Sequence, residues 1–421
     1  MRNYLSAFWD TAALRILFLS HRIPYPPDKG DKIRSFNEIK HLSIRHEIHL
    51  LAFYSYPEEI QYSGELQRYC RSVTLIPLVR CKQSFRATSA LLRGQPWSLG
   101  FFSDPLMRKA VRDKLAGFSF DLIFVFCSSM AAYAREAAGI PKILDFVDSD
   151  ALKWGQYSQA RRPPARWLYK YEARKLSGFE REMIGEFDCS VFVSPAEISG
   201  GAHNLNAKIA FIQNGIDLEF FKPPLTNQSA SSIAFTGAMD YFPNVDGVRF
   251  FAKEIFPKIR EAHPEAKFIV IGSRPAAGVR KLSSTPGITV TGSVKDVRPF
   301  LSQCRVAVVP LRIAQGIQNK ILEALAVGLP VVSTPLAAGG LEGMKELPLT
   351  IASDPDSFAK RVIEYMSDAP ISQETVNACR QHLRNHYDWE TNLTALDKII
   401  EAIALKGESR ATSESLSKAR A

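Results

Sequence analysis

The chain lacks the marks of a metal, thiol or serine-hydrolase enzyme. Its six cysteines (Cys70, Cys81, Cys127, Cys189, Cys304, Cys379) lie far apart, and no pair has metal-ligand spacing. That excludes a zinc module and leaves reduced core thiols, which suits the cytosol. Of eight histidines, only His21 falls in a loop that reads as part of a site. No His-x3-His pair stands among carboxylates in a metal-site pattern. There is no Gly-x-Ser-x-Gly elbow and no Cys/His pair that the sequence alone supports. No window of about 18 uncharged apolar residues occurs, so no membrane-spanning helix is expected. Residues 1–13 carry one early Arg and no long apolar run, which argues against a signal peptide. The expectation is a cytoplasmic protein whose membrane contact, if any, is peripheral, at the inner face.

Acidic charge is also in deficit. The 421 residues carry a net charge of +10, and 46% are apolar. A basic surplus suits anionic partners such as nucleotide phosphates or phospholipid heads. Nucleic acid is not favoured, because zinc spacing and an aromatic single-strand motif are both absent. The length suits two domains of roughly 150–200 residues each.

Short β-branched runs alternate with helical segments, the pattern of parallel sheets with crossover helices. One series of strands is expected at Leu14–Leu19, Ile48–Phe53, Val73–Leu78, Leu122–Phe126, Ile143–Val147 and Ser190–Val193, with a helix over Arg34–Arg45. A second series covers Ile233–Gly237, Phe268–Gly272, Ile288–Gly292, Arg305–Val309, Leu329–Ser333 and Leu349–Ala352. The expected divisions are an N-terminal domain 1–213, a C-terminal domain 214–385, a helix 386–405 and a disordered tail 406–421. Polar Pro223–Ser232 reads as the linker. Leu393, Leu396, Ile400 and Ile403 make the apolar face of the last helix.

The densest signal is Gly316-Ile317-Gln318-Asn319-Lys320 running into Glu323-Ala324 and on to Val331-Val332-Ser333. It reads as a phosphate loop, a short helix and a buried strand. Loop amides and free helix N–H groups make an anion site. Lys320 adds a full charge, and Glu323, one turn in, can accept two hydrogen bonds from a ribose diol.

With Phe235-Thr236-Gly237-Ala238-Met239-Asp240-Tyr241, Pro243-Asn244 and the turn Asn214-Gly215-Ile216-Asp217, these residues resemble the GT-B glycosyltransferases. The likeness is to the retaining Glu-x7-Glu group (glycosyltransferase family 4-like), and within it to bacterial exopolysaccharide and exosortase-associated sugar transferases. It spans roughly residues 14–405. It implies an α/β fold of two Rossmann-like doubly wound domains facing a cleft, with a C-terminal helix packing back toward the N-terminal domain. It also implies transfer of a sugar from a nucleoside-diphosphate sugar to a hydroxyl on a glycan or lipid-linked acceptor, with retention and without a metal. Glu323, Lys320, Arg274 and the amides of Gly316, Ile317, Gln318 and Asn319 are the expected donor contacts, with Gly237 and Gly30 letting backbone approach the diphosphate.

Two departures stand out. The first motif glutamate belongs at position 315, which is Gln, a group that can hydrogen-bond but carries no charge. The Arg and Lys that many relatives carry after Thr236-Gly237 are also missing, leaving Arg274, Lys320 or Arg312 to meet the diphosphate. In the N-terminal half, Lys32 and Arg34 are expected to bring charge to the loop after the first strand. Asp148 is the candidate for contact with the donor sugar or acceptor hydroxyl, alongside Gln315 and Glu323, and Asp150 is read as a helix N-cap. Basic residues from Arg161 to Arg181 interleave with aromatics, which reads either as a membrane-facing helix or as an exposed helix with its aromatics in the core. Alternatives to a transferase are a nucleotide-sugar 2-epimerase of the same fold, or a non-catalytic sugar-binding partner of a polysaccharide export system.

Overall fold

In a computed structural model of the chain, residues 13–198, 208–223, 231–341 and 347–418 are described, with side chains through residue 404. Most of the expected linker lies outside these residues. The chain divides into two compact units: residues 1–212 with 393–421, and residues 213–392.

Each unit is built on one all-parallel sheet. In the first, β1 (Arg15–Ser20), β2 (Glu47–Tyr54), β3 (Ser72–Pro77), β4 (Leu122–Phe126), β5 (Lys142–Val147), β6 (Cys189–Phe192) and β7 (Ile209–Phe211) lie in the order β3-β2-β1-β4-β5-β6-β7. In the second, β8 (Ser232–Thr236), β9 (Lys267–Ile271), β10 (Ile288–Gly292), β11 (Val306–Val309), β12 (Val331–Ser333) and β13 (Leu349–Ile351) lie in the order β10-β9-β8-β11-β12-β13. The central strands are apolar on both faces because helices cover both. Phe18 stacks on Phe124 across β1 and β4, and Phe146 on Phe192 across β5 and β6, at 4.8 and 4.6 Å between ring centres. β7 went unread in the sequence because it is three residues long and only half-buried.

The strand order reverses direction beside β1 in one sheet and beside β8 in the other. In such sheets the crevice that takes a ligand opens at the carboxyl ends of the strands flanking the reversal. That places Ser20-His21 with Cys127 in the first unit, and Gly237 with the loop after Pro310 in the second.

The helix after β1 spans Gly30–Leu42, four residues earlier than expected, with Asp31 in its first turn where a carboxylate suits the helix dipole. It corrects two readings. Lys32 is buried against Glu59, at 3.2 Å, and Arg34 is fully buried. The Arg34 Nε lies 2.7 Å from Asp145 on β5 and 3.2 Å from Glu38, while Nη1 donates to the Ile212 carbonyl at 2.8 Å. Arg34 does not serve the loop, and Lys32 meets it only through Asp28, at 3.8 Å. Burial first, and then the neighbouring Asp145, push Glu38 well above its ordinary value, against the pull of Arg34.

The last helix runs Trp389–Lys418, longer than expected, its backbone helical where a disordered tail was read. Leu393, Leu396, Ile400 and Ile403 are buried, and His41 bonds Asp397 at 3.0 Å within the first unit. Among the described residues, no helix is long and apolar enough to cross a membrane.

Removing Arg34 leaves Asp145 and Glu38 buried without their cation, a loss on the order of 3–5 kcal/mol. Arg34→Met is therefore expected to cut unfolding free energy in urea by that amount. Arg34→Lys should recover little, because one ammonium cannot reach Asp145 and the Ile212 carbonyl with a fork's geometry.

Candidate functional site

The second unit gathers its polar groups where the topology directs. β8 ends at Gly237 and β9 at Gly272, and the two loops touch. Gly237 N donates to the Ile271 carbonyl at 3.1 Å, and Met239 N to the Ser273 carbonyl at 2.8 Å. A side chain at Gly272 would run into the Gly237 carbonyl, so only glycine permits this approach. Asn244, just inside the helix Phe242–Phe250, donates to the Ala238 carbonyl at 2.9 Å and fixes the β8 loop.

Asn244 also accepts from Lys320 Nζ at 2.6 Å, and that ammonium stands 4.9 Å from the centre of the Phe235 ring. Lys320 belongs to the helix Asn319–Ala326, whose start no side chain caps. Before it, Gly316 adopts φ 58, a left-handed conformation that favours glycine. Two polar atoms beside this helix start, Gln315 Oε1 and Asn319 Oδ1, are buried without a hydrogen-bond partner. Gln318 donates to the Gln315 carbonyl at 2.8 Å and so shapes the loop. Burial pushes Lys320 down to about 8, against the pull of Glu323, and pushes Glu323 up to about 7, against Lys320.

The other proposed cations lie under restraint. Arg274, at φ 50, sits 2.8 Å from Asp240. Arg312 grips Asp246 through two bonds of 2.9 and 2.7 Å. Lys320 instead hydrogen-bonds a neutral amide, and the carboxylate that acts on it is Glu323, one turn along its own helix. The structure thus brings Gly237, Gln315, Gly316, Ile317, Gln318, Asn319, Lys320 and Glu323 onto the β8 and β11 edge, with Arg274 on the neighbouring β9 loop.

In the first unit, His21 follows β1 and Cys127 follows β4. His21 Nε2 lies 3.2 Å from Asp31. Burial would lower His21, but the Cys127 sulfur and Asp31 outweigh it and lift it to about 9; the Cys127 thiol falls in turn, His21 outweighing its own burial. This Cys/His juxtaposition was invisible in the sequence, where the two are 106 positions apart. Gly30, by contrast, is exposed at the helix start with open space around it.

Asp148 stands after β5. Burial first, and then the Glu197 charge, push its carboxyl up to about 7, against Lys153 and Arg34. Asp150 is not the cap: Ser149 caps the helix Asp150–Gln159, accepting from Leu152 N at 3.2 Å. Asp150 instead accepts from Ser128 Oγ at 2.7 Å and pairs with Lys153. Beneath lies Glu180, which bonds Ser149 Oγ at 2.8 Å and Ala151 N at 2.9 Å and holds the turn. Two non-glycine residues at these strand ends have positive φ, Cys127 at 79 and the β-branched Val147 at 64. Such strain persists where the surroundings over-determine it, commonly at sites. Among the described residues, no three His, Cys, Asp or Glu side chains gather as a metal site.

Residues 230–368 match the family described as Glycosyl transferases group 1. A Klebsiella pneumoniae protein, "Uncharacterized 44.6 kDa protein in cps region", is 20% identical over 391 residues, covering 89% of this chain and 96% of its own length. Sucrose-phosphate synthase from Thermosynechococcus elongatus has a similar structure, with a TM-score of 0.68 at 16% identity over 92% of this chain and 98% of that one. A glycosyltransferase from Rickettsia africae gives 0.64 at 11% identity, covering 93% and 99%. Anabaena HepE, solved in complex with UDP, gives 0.61 at 14% identity, covering 92% and 100%. The fold is that of the GT-B glycosyltransferases, and the segment 230–368, which holds Gly237, Lys320 and Glu323, is the part that matches the Glycosyl transferases group 1 family.

Proposed function

We propose that the protein transfers a sugar from a nucleoside-diphosphate sugar to a hydroxyl of a glycan or lipid-linked acceptor, with retention of configuration, in the synthesis of a bacterial exopolysaccharide. One observation carries this reading. Lys320 and Glu323 are held half-buried in the first turns of an uncapped helix, beside a loop that only glycine can make. Lys320 and the amides at the helix start meet the diphosphate, and Glu323 meets the ribose diol. The UDP held by HepE and the cps setting of the Klebsiella relative support the donor class and the polymer.

Charge building up on the leaving diphosphate is the largest demand of such a reaction, and groups oriented in advance meet it best. In this reading Lys320, Arg274 and the helix amides do the work without a metal ion. For Arg274 to turn toward the phosphates it exchanges Asp240 for them, a swap between two charged acceptors. Gln315 takes the place of an acid with a neutral amide. Its buried Oε1 can accept a donor hydroxyl, which removes the cost of leaving that oxygen unmet. Asp148, with its carboxyl raised to about 7, can exchange a proton near neutral pH, which suits a contact with the sugar or the acceptor hydroxyl.

Binding to the native state alone raises a melting temperature. Among UDP-, GDP-, ADP- and CMP-linked sugars, at least one should shift the native protein. Glu323→Gln removes charge-assisted bonds and should weaken that ligand by roughly 10- to 100-fold, while the melting temperature of the free variant holds. No shift with any donor sinks the reading.

The affinity should also follow pH. Glu323 accepts best when ionised, above about 7, and Lys320 attracts phosphate only when protonated, below about 8. Binding therefore strengthens as pH rises toward 7 and weakens as it rises past 8. Titration calorimetry across pH 5.5–9.5, a span set by these two values, should give a bell, and Lys320→Met should erase its alkaline limb.

In chelator, sugar transfer by the native protein should persist, and Asp148→Asn should lower turnover by about 100-fold or more with little change in donor affinity. An unchanged rate removes Asp148 from the mechanism, and release of an isomerised donor would instead mark an epimerase.

A further inference from the structure

The first unit carries a surface that the transfer reaction does not use. The helix Arg80–Leu92 buries Gln83 and Ala90 and turns its opposite face outward. On that face Phe85 is 76% exposed and Leu92 is 83% exposed. The helix Ala165–Glu186 buries the line Glu172, Leu176, Glu180 and leaves Trp167 67% exposed. Trp167, Lys170 and Arg174 share one side of it, at three- and four-residue spacing.

The two helices are joined at the turn that follows the first. The turn at Gly94, just past Leu92, lies against Tyr171 and Lys175 of the second helix. Glu172 accepts from the backbone of Trp97 and Ser98, at 2.9 and 2.8 Å, and locks that turn onto the helix. Trp97 then meets Tyr169 edge-on at 5.9 Å. Of the two sequence readings of the Arg161–Arg181 stretch, the structure divides the aromatics: Tyr169 packs inward while Trp167 stands out.

The charge here has one sign. Residues 79–103 and 151–171 contain nine Lys and Arg and no Asp or Glu, although 43 of the 421 residues are acidic. Arg86 and Lys153 pair with Asp104 and Asp150, which lie just beyond these segments. Large exposed apolar side chains ringed by cations fit a bilayer: the cations meet anionic heads and the apolar groups enter the acyl boundary. A nucleic acid would satisfy the cations but leave Phe85 and Leu92 in water. A second copy of the chain would bring like charges face to face.

We propose that the Phe85–Leu92 and Trp167–Arg174 faces together form a docking surface for an anionic lipid bilayer. It is a reversible attachment by two signals at once, charge and apolar insertion, and neither suffices alone. The proposal does not depend on the donor reading.

Flotation of the full-length protein with vesicles tests it. Mixed phosphatidylglycerol and phosphatidylcholine should retain the protein at low salt and release it at high salt, and phosphatidylcholine alone should not retain it. Two variants separate the signals. Arg162→Glu with Arg166→Glu and Lys170→Glu removes the charge, and Phe85→Ser with Leu92→Ser and Trp167→Ser removes the apolar contacts. All six residues are exposed, so each variant should melt like the parent. Each should nonetheless bind anionic vesicles at least about tenfold more weakly. The inference is overturned by equal retention on neutral vesicles, by no retention on anionic ones, by unaltered binding in both variants, or by capture on single-stranded RNA in place of lipid.

Discussion

A lysine and a glutamate, one helical turn apart, sit partly out of water at the start of a short helix, and each feels mainly the other's charge. Burial drives the ammonium down and the carboxyl up until the two titrate a single unit apart, near 8 and near 7. A folded protein keeps such a pair only where something compensates for the lost hydration. Asn244 compensates in part, accepting from Lys320 while holding the β8 loop in place. The rest of the second unit supports this arrangement: the reversal of strand order opens the edge, Gly272 lets two loops touch, and Gly316 turns the chain into the helix.

The first unit follows the same logic with different chemistry. Asp148, Asp150, Ser128, Cys127 and His21 come from the ends of neighbouring strands, and each has a displaced proton affinity or a partner that fixes it. Beneath them Arg34, Asp145 and Glu38 form a wholly buried ionic group that touches a helix, a strand and the Ile212 carbonyl. Its value is in fixing geometry, since a buried pair gives back in attraction little more than it loses in hydration. Rigid support of that kind can sustain the positive φ at Cys127 and Val147.

Much of this was legible in the chain. Strands with apolar runs on both faces announced themselves, and so did the segment from Gly316 through Lys320 to Glu323, because those signals are local in sequence. Lys32 and Arg34 misled for the same reason. Their spacing suggested a basic loop, but the acids that claim them, Glu59 and Asp145, are 27 and 111 residues away. The cap at Ser149 in place of Asp150 turned on Glu180, 31 residues on. His21 and Cys127 meet only because β1 pairs with β4. Leu92 and Phe85 carry no signal of their own in the sequence; the burial of Gln83 and Ala90 on the other side of their helix shows which face remains bare.

The inserted arrangement of the second unit has a consequence for how the chain is made. Residues 213–392 form one unbroken segment, while the first unit draws on both flanks of it. A chain emerging from the ribosome can therefore complete the later unit before the earlier one. Leu393, Leu396, Ile400 and Ile403, and the Asp397 partner of His41, are the last pieces to arrive. Until they dock, the apolar surface they cover stays open to solvent. The unit built from both flanks thus stays exposed to chaperones and proteases the longer of the two, and losing the helix Trp389–Lys418 should damage a unit whose other residues lie far ahead of it in the chain.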